Sequence, residues 1–234
     1  MESAKQRLRN CSVATIVAVL FKKGLATRFM SGLKPLTGAE GRIVGEAFTV
    51  RTIPVREDMR AAVARGETPN LHRKALAEVA DGQCVVFDGG GIADASPLGD
   101  IIALSLKMRG IAAFITDSGV NDLAGIAAAG LPVYGLGPAG VPGSSRFQVV
   151  DWNVPVGCAG VAVYPGDIIV ADEMGAVCIP RDLAETVAEE AGEQERLEAF
   201  LVERIAAGAP LETTYPPDAE TRRAYAEWCK TRQP

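Results

Sequence analysis

The stretch Gly99–Asp122 reads GDIIALSLKMRGIAAFITDSGVND and decides how the middle of this chain folds. An acidic turn opens an amphipathic segment that predicts a helix over 99–109, and a glycine ends it. The apolar run 111–116 then predicts a strand. A strand that returns beside the helix brings Asp122 back near Asp100. Two carboxylates that converge on one cleft are the ligands that a hard divalent cation needs.

The chain has 234 residues, of which 48% are hydrophobic, enough for one sizeable core. We predict a single domain over 1–234. Its N-terminal helix, at 2–31, and its C-terminal helix plus arm, at 181–234, are expected to pack on it or on a neighbouring subunit. The net charge of −5 and the sequence pI of about 5.1 argue against nucleic-acid binding and against binding to an anionic membrane.

The five cysteines are widely spaced and include no C-x-x-C pair, so they lack the spacing of a zinc site. Cys84 and Cys178 lie within apolar runs and are predicted to be buried thiols. The N-terminus lacks the pattern of a signal peptide, and the apolar stretch 13–21 is too short to span a bilayer. We therefore expect a cytoplasmic protein in a reducing compartment, without a membrane partner.

Helical and strand patterns alternate in the middle of the chain and strands cluster later, which predicts an α/β protein with mixed sheets. Besides the helix and strand described above, the patterns predict a strand at 44–54, a helix at 71–80, a strand at 84–87, a helix at 123–129 and a strand at 131–134. Further strands are predicted near 147–151, 161–164, 168–171 and 176–179.

Two other features point to different chemistries, and both are weak. The segment 135–140 matches G-x-G-x-x-G after a strand, but the prolines and serines that follow predict a loop instead of the helix that a dinucleotide site needs. His72 is the only histidine, so a zinc site with several histidines is excluded and any Ser–His–Asp triad must use it. Its place on an amphipathic helix favours a solvated or packing histidine over a catalytic one.

Asp100 and Asp122 each have two compatible interpretations. Each can cap the helix that follows it, which is worth about 1 kcal/mol, and each can bind a cation. Backbone N–H groups at Ile101 and Ile102 would face the same cleft and can hold a substrate carboxylate. Further acids at neighbouring strand ends favour the cation interpretation: Asp88, Asp94 and Asp117.

Several motifs occur in an order that is typical of one family. They are Val85–Asp88 (VVFD), Gly89–Gly91 (GGG), Gly99–Gly110, Asp117–Asp122 (DSGVND), Gly130–Tyr134 (GLPVY), Asn153–Val156 (NVPV) and Pro165–Asp172 (PGDIIVAD). In these motifs the chain resembles the RraA-like family, and the match covers roughly residues 40–180. That family includes the class II 4-hydroxy-4-methyl-2-oxoglutarate aldolases and the regulator of ribonuclease E activity.

The resemblance implies an α-β-β-α sandwich of the swivelling β/β/α type with mixed sheets. It also implies a homotrimer or a dimer of trimers with sites at subunit interfaces, and a Mg²⁺ or Mn²⁺ ion that holds a keto acid or hydroxy acid. Asp122 matches the direct metal ligand, and Asp100 matches the catalytic carboxylate that acts through water. Gly99, Ile101 and Ile102 match the turn whose backbone touches substrate.

The chain departs from the family at Asn121, a catalytic and substrate-binding position where the aldolases have an arginine that stabilises the developing enolate. A neutral amide donates a hydrogen bond roughly half as strong as a charged group does, and losing one such donor commonly costs on the order of 10²–10³ in rate. The segment 56–70 is also longer than usual, and Ser118 replaces a glycine. One of four arginines can supply substrate charge instead: Arg42, Arg51, Arg56 or Arg146.

Two functions are consistent with these residues. The first is a divalent-metal-dependent lyase of the class II aldolase or oxaloacetate decarboxylase type that acts on a keto acid or hydroxy acid, either the family's usual substrate or an altered one. Cleavage leaves a pyruvate enolate, whose charge a chelated cation takes up, while a water or carboxylate removes the C4 hydroxyl proton. The second is a non-catalytic regulatory or protein-binding protein, which Asn121 favours. A nucleotide-dependent oxidoreductase is rejected because no helix is predicted directly after the glycine motif at 135–140.

Overall fold

A computed structural model of the protein describes residues 1–38 and 41–231. The end of the predicted C-terminal arm, residues 232–234, lies outside the described residues, as does residue 40, where the family resemblance begins. The helices are α1 Glu2–Leu8, α2 Val13–Lys22, α3 Glu57–Ala64, α4 Leu71–Glu78, α5 Asp100–Met108, α6 Leu123–Ala129, α7 Ala184–Ala206, α8 Leu211–Thr214 and α9 Ala219–Thr231.

The strands in the first half of the chain are β1 Lys34–Thr37, β2 Ile43–Pro54, β3 Gln83–Phe87, β4 Ala95–Ser96, β5 Ala113–Thr116 and β6 Gly119–Val120. Those in the second half are β7 Val133–Gly135, β8 Gly137–Pro138, β9 Val141–Pro142, β10 Phe147–Trp152, β11 Val156–Cys158, β12 Val161–Val163, β13 Ile168–Asp172 and β14 Gly175–Ile179. Two short 3₁₀ turns lie at Gly143–Ser145 and Arg181–Leu183.

The main sheet is mixed and has the strand order β1-β7-β5-β3-β2-β13-β14. The neighbours β2, β3, β5 and β7 are parallel to one another, whereas β1, β13 and β14 are antiparallel to their neighbours. The long strand β2 pairs with β13 along its first half and with β10 along its second half. The predicted mixed α/β class is therefore confirmed.

Alternate residues of the strands face two different core layers, as the pleat of a strand requires. Val85 and Phe87 of β3 pack with buried residues of α4, α5 and α6 on one face. Cys84 and Val86 face the opposite side, which the hairpin β11–β12 covers. A third layer, formed by α1, α2 and α7, packs on β13 and β14. These layers agree with the expected α-β-β-α sandwich.

The prediction of one N-terminal helix over 2–31 is wrong. The chain forms two helices, α1 and α2, separated at residues 9–12, because Ser12 starts a new helix by accepting a hydrogen bond from the Thr15 N–H at 3.1 Å. After α2 the chain is extended, and Phe29 forms an isolated β-bridge with Val177. Hydrophobic periodicity alone does not show this break, since both helices bury apolar residues on the same core layer.

Most of the other predicted elements are present within one to three residues. The structure adds elements that the patterns did not indicate, namely β1, α3, β11 and the two-residue strands β4, β6, β8 and β9. The predicted C-terminal arm forms α8 and α9, and α9 packs on α7 through ring contacts of Phe200 with Tyr225 and Trp228. The glycine motif at 135–140 contains β8 and is followed by β9 and a 3₁₀ turn, where a dinucleotide site needs a helix. None of the helices in the described part of the chain is both long and apolar enough for a bilayer span.

Candidate active site

The site begins where two neighbouring helices start. The segment after α5 returns through β5, in parallel beside β3, and reaches α6, which packs against α5. Gly99 is the N-cap residue of α5 and Asp122 is the N-cap residue of α6, so Asp100 and Asp122 both lie at helix N-termini. Both side chains are exposed to solvent. The structure therefore brings the two predicted aspartates to one edge of the protein.

Two glycines let the helix starts approach each other closely. A Cβ atom placed on Gly99 would lie 3.1 Å from Asp122 Oδ2, and one placed on Gly125 would lie 3.0 Å from Asp100 Oδ2. Each carboxylate therefore occupies space that a side chain on the opposite helix start would fill. We call Asp100 and Asp122, together with these two glycines, the aspartate pair.

Asp122 is held in an unusual backbone conformation. Its φ of 49° and ψ of 34° lie in the left-handed region, which aspartate tolerates better than most residues. Its carboxylate makes no capping hydrogen bond to α6, although it occupies the N-cap position. The capping interpretation is therefore wrong for Asp122, and its carboxylate oxygens are available to a ligand.

Asp100 is the first residue of α5 and uses one oxygen locally. Its Oδ1 accepts a hydrogen bond from the Ile101 N–H at 2.7 Å, so that amide is not free for a substrate carboxylate. The Ile102 N–H has no acceptor among the described residues. The positive end of the α5 dipole favours anionic groups at this position. Of the two predicted backbone donors, only Ile102 is thus available.

Asn121 is half-buried and is anchored through its main chain. Its N–H donates to Ser96 Oγ at 3.0 Å, and its Oδ1 lies 3.3 Å from the same hydroxyl. The Ser96 hydroxyl also donates to the Leu98 carbonyl at 2.6 Å, which ties β4 to the start of α5. No acceptor for the Asn121 amide nitrogen is found in the described ranges, so this nitrogen can donate to a substrate.

The aspartate pair fits a cation that takes most of its ligands from water and substrate. Within residues 1–38 and 41–231, no group of three or more His, Cys, Asp or Glu side chains is arranged to enclose a metal. Mg²⁺ commonly binds one or two carboxylates and keeps several waters. The Asp122 carboxylate makes no capping hydrogen bond, and it lies against Gly99, which has no side chain to block it. It therefore meets that requirement.

Three further acids that were expected near the cation are engaged elsewhere. Asp117 is buried and accepts hydrogen bonds from the Gly89 and Ala159 N–H groups at 2.6 and 3.2 Å. Asp94 pairs with Arg146 at 2.7 Å. Asp88 accepts from the Gly90 N–H, and burial raises the pKa of its carboxyl group. These residues stabilise loops and do not join the aspartate pair.

The four arginines proposed to replace the missing guanidinium do not line the cavity beside Asn121. Arg56 pairs with Asp58 at 2.6 Å, Arg146 pairs with Asp94, and Arg42 lies 3.9 Å from Asp172. Arg51 is exposed on β2. These four arginines are therefore poor candidates for the missing charge.

A cavity of about 620 Å³ opens next to the aspartate pair and includes Gly99, Ile102 and Asn121 in its wall. Another part of its wall comes from the segment 55–72, which carries α3 and the start of α4. Arg60 of α3 is the only arginine among the described residues of this wall. Sequence reasoning missed Arg60, and the only available signal was the unusual length of segment 56–70.

His72 lies in the same wall and packs edge-on against Phe87, with ring centroids 5.7 Å apart. Burial lowers the pKa of His72 to about 4, although its contact with the Pro97 carbonyl acts in the opposite direction. The imidazole is therefore neutral at neutral pH. Its Nε2 and the Oγ1 of Thr68, also in the wall, are buried without hydrogen-bond partners. His72 is thus a packing residue, as predicted, but one that borders the site.

Comparisons with known proteins agree with this architecture. A protein of Halalkalibacterium halodurans named "Putative 4-hydroxy-4-methyl-2-oxoglutarate aldolase" is 31% identical over 165 residues, which cover 70% of this chain and 72% of that protein. Streptomyces coelicolor RraAS2, described as an unusual member of the RNase ES inhibitor RraA protein family, matches in structure with a TM-score of 0.73 and 28% identity, covering 85% of this chain and 94% of that one.

An uncharacterized protein from Pseudomonas syringae pv. tomato shares the fold, with a TM-score of 0.78 and 24% identity over 92% of this chain and 98% of that one. The family model described as RraA-like, Aldolase/RraA, matches residues 13–178, which is most of the chain and includes the aspartate pair. The chain therefore belongs to the RraA-like family.

Proposed function

We propose that this protein is a divalent-metal-dependent lyase that cleaves a keto acid or hydroxy acid and releases pyruvate. The observation that carries the proposal is the aspartate pair, in which Asp122 adopts a left-handed conformation without capping its helix. A non-glycine residue in this region carries backbone strain of about 1–3 kcal/mol, and such residues cluster at active sites. A carboxylate held there, without a structural partner, is suited to binding a ligand.

In this proposal Asp122 would hold a Mg²⁺ or Mn²⁺ ion directly and Asp100 would hold it through water. The ion supplies Lewis-acid chemistry, drawing electron density from the keto group of the substrate. The Ile102 N–H donates to the substrate carboxylate at the start of α5, where the helix dipole favours negative charge.

The reaction needs a base for one proton. In the retro-aldol step the C4 hydroxyl loses its proton, the C3–C4 bond breaks and C4 becomes a carbonyl. The electron pair passes to C3 as a pyruvate enolate, which then takes a proton from solvent. Asp100 accepts the hydroxyl proton directly or through a water. Asn121 donates a neutral hydrogen bond to the developing enolate, which is weaker than the bond of an arginine.

We also propose that the protein acts as a homotrimer or a dimer of trimers. Ile101, Leu104 and Met108 recur at helical spacing on α5, and their side chains are 82%, 51% and 79% exposed. An apolar stripe of this kind is typical of a surface that another protein copy covers. Because the stripe begins beside Asp100, assembly would place a second subunit at the edge of the site. Light scattering coupled to size exclusion measures the assembly.

The proposal is tested by assaying pyruvate release from 4-hydroxy-4-methyl-2-oxoglutarate and from oxaloacetate, each with Mg²⁺, with Mn²⁺ and with EDTA. We expect turnover of at least one substrate that depends on the metal. Absence of metal-dependent turnover of both, and of related 4-hydroxy-2-oxo acids, would reject the lyase function.

The second candidate function is a non-catalytic regulatory or protein-binding protein. Asn121 favours it, because this residue removes the charge that the family's aldolases use at this position. The structural relative RraAS2 belongs to a family named for inhibition of RNase ES. An RNA-cleavage assay with an RNase E-type enzyme tests this candidate. Inhibition at stoichiometric concentrations supports it, and unchanged cleavage at a large excess contradicts it.

A further inference from the structure

The cavity beside the aspartate pair is much larger than a pyruvate group requires. Ligand sites typically enclose about 300–1,000 Å³, and this cavity, at about 620 Å³, lies within that range. Three of its wall residues, Gly99, Ile102 and Asn121, also belong to the candidate active site. The cavity is therefore continuous with the place where we expect the keto acid group to bind.

The wall is predominantly apolar and aromatic. Met59 and Val63 contribute from α3, and Phe87 and Phe147, whose ring centroids lie 5.5 Å apart, contribute from the core. The helix α3 buries none of its residues, and Met59 is 40% exposed. A flat apolar group in the cavity would stack on the aromatic rings and cover the apolar side of α3.

The wall carries little charge. In the part of the chain that the structure describes, it contains no acidic residue, and its titratable residues are Arg60 and His72. Arg60 is exposed, and His72 is neutral because burial lowers its pKa to about 4. The interior of the cavity therefore offers no charge partner for a second carboxylate, and it favours an uncharged substituent.

Two buried polar atoms in this wall lack hydrogen-bond partners. They are Thr68 Oγ1 and His72 Nε2, from the loop before α4 and from its first turn. Leaving a buried polar group unsatisfied is costly, so native proteins pair such atoms with protein, water or ligand. A hydroxyl group can both donate and accept, and it can therefore satisfy either atom.

We propose that this cavity binds the variable substituent of the substrate, and that this substituent is an aromatic ring bearing a hydroxyl group. The inference rests on the proposed function only for the position of the keto acid group. Met59 and Val63 then select for the ring, and Thr68 and His72 select for its hydroxyl. These are specificity residues, since the bonds that react lie at the aspartate pair.

The test is calorimetric binding to the full chain in the presence of Mg²⁺, with four keto acids that contain no cleavable hydroxyl. We expect phenylpyruvate to bind roughly tenfold or more tightly than pyruvate, because the ring is buried. The hydroxyl of 4-hydroxyphenylpyruvate adds roughly a further threefold to tenfold. We expect 2-oxoglutarate, which carries a second carboxylate, to bind no more tightly than pyruvate.

Substitutions separate the two parts of the proposal. Val63→Asp places a charge in the wall and is expected to remove the gain from the ring, whereas Ala64→Asp, on the exposed side of the same helix, leaves it unchanged. Met59→Gln repeats the first test with a milder change, and thermal melting checks that each variant folds. Thr68→Val and His72→Phe are expected to remove only the gain from the hydroxyl.

Several results would overturn the inference: equal affinity for pyruvate and both aromatic acids, tighter binding of 2-oxoglutarate than of phenylpyruvate, or equal losses for all four acids in Thr68→Val and His72→Phe. Because these are binding measurements, they are independent of turnover. Aromatic selectivity without any lyase activity would reject the proposed function and support this inference. Lyase activity without aromatic selectivity would support the proposed function and reject this inference.

Discussion

The two sides of the site are built in different ways. The aspartate pair lies on two adjacent helix starts within one continuous stretch of chain, and each carboxylate lies against a glycine of the other helix start. The cavity side comes from segment 55–72, whose helix α3 has no buried residue and whose wall holds two polar atoms without hydrogen-bond partners. A tightly fixed geometry suits a reaction step that is the same for every substrate. A loosely supported wall suits the part of the substrate that varies.

The largest expected effect is on the aspartate side. Asp122→Asn keeps a residue that tolerates the left-handed backbone at φ 49°, but it removes the negative charge. We expect metal-dependent pyruvate release to fall by roughly 100-fold or more, with an unchanged melting temperature. Asp94→Asn, a change at an exposed residue that pairs with Arg146, is the matched control. Full activity of Asp122→Asn would show that the aspartate side is not the reactive one.

Asn121 lies between the two sides, and replacing it tests which side limits the rate. Asn121→Arg restores the charge that the family's aldolases have, and we expect pyruvate release to rise, by up to roughly 100-fold. Asn121→Gln keeps a neutral amide and is expected to give no increase. If the arginine variant is no faster than the wild type in steady-state assays, the cavity side has adapted the site to different chemistry.

A smaller loss is expected from a single methyl group at the aspartate side. Gly99→Ala introduces no backbone strain, since φ is −121°, but its Cβ would lie 3.1 Å from Asp122 Oδ2. The carboxylate must move by a few tenths of an ångström, and we expect roughly a tenfold loss of kcat/KM. Gly157→Ala, on β11 with no atom within 4 Å of the added Cβ, is the control. Equal effects of the two changes would refute the steric argument.

The sequence predicts the aspartate side better than the cavity side because the relevant residues are close in the chain. A helix, a strand and two acidic turns within Gly99–Asp122 are enough to place Asp100 near Asp122. The left-handed conformation of Asp122 and the use of the Ile101 N–H by Asp100 are not visible in the pattern. Both depend on how α5 packs against α6, which is a tertiary contact.

The cavity could not be predicted, because its wall is assembled from segments that are distant in sequence. Arg60 follows a strand without any motif, and Phe147 belongs to a strand that pairs with β2 only through long-range contacts. The arginines named from the sequence surround the early strand or end the glycine loop, and two of them, Arg56 and Arg146, form ion pairs with acids. Only the extra length of segment 56–70 distinguished the region that carries Arg60.

The smallest expected effect is on the pH dependence of the free energy of unfolding, through His72 in the cavity wall. Measuring this dependence tests whether the wall is shielded from water. The unfolded chain binds a proton on His72 near pH 6.5, whereas the folded chain does so only near pH 4. The unfolded state therefore binds more protons between these values, and stability present above pH 6.5 is lost as the pH falls. Between pH 6.5 and 5.5 the loss is about 1 kcal/mol.

Since His72 is the only histidine in the chain, His72→Phe removes this dependence while keeping an aromatic ring against Phe87. Urea unfolding of both proteins at pH 7.0, 6.5 and 5.5 measures the difference. We expect the wild type to lose stability relative to the variant over this interval. Parallel curves would mean that water reaches Nε2 in the folded protein. The cavity wall would then be as open to solvent as the aspartate side, and the contrast between the two sides would fail.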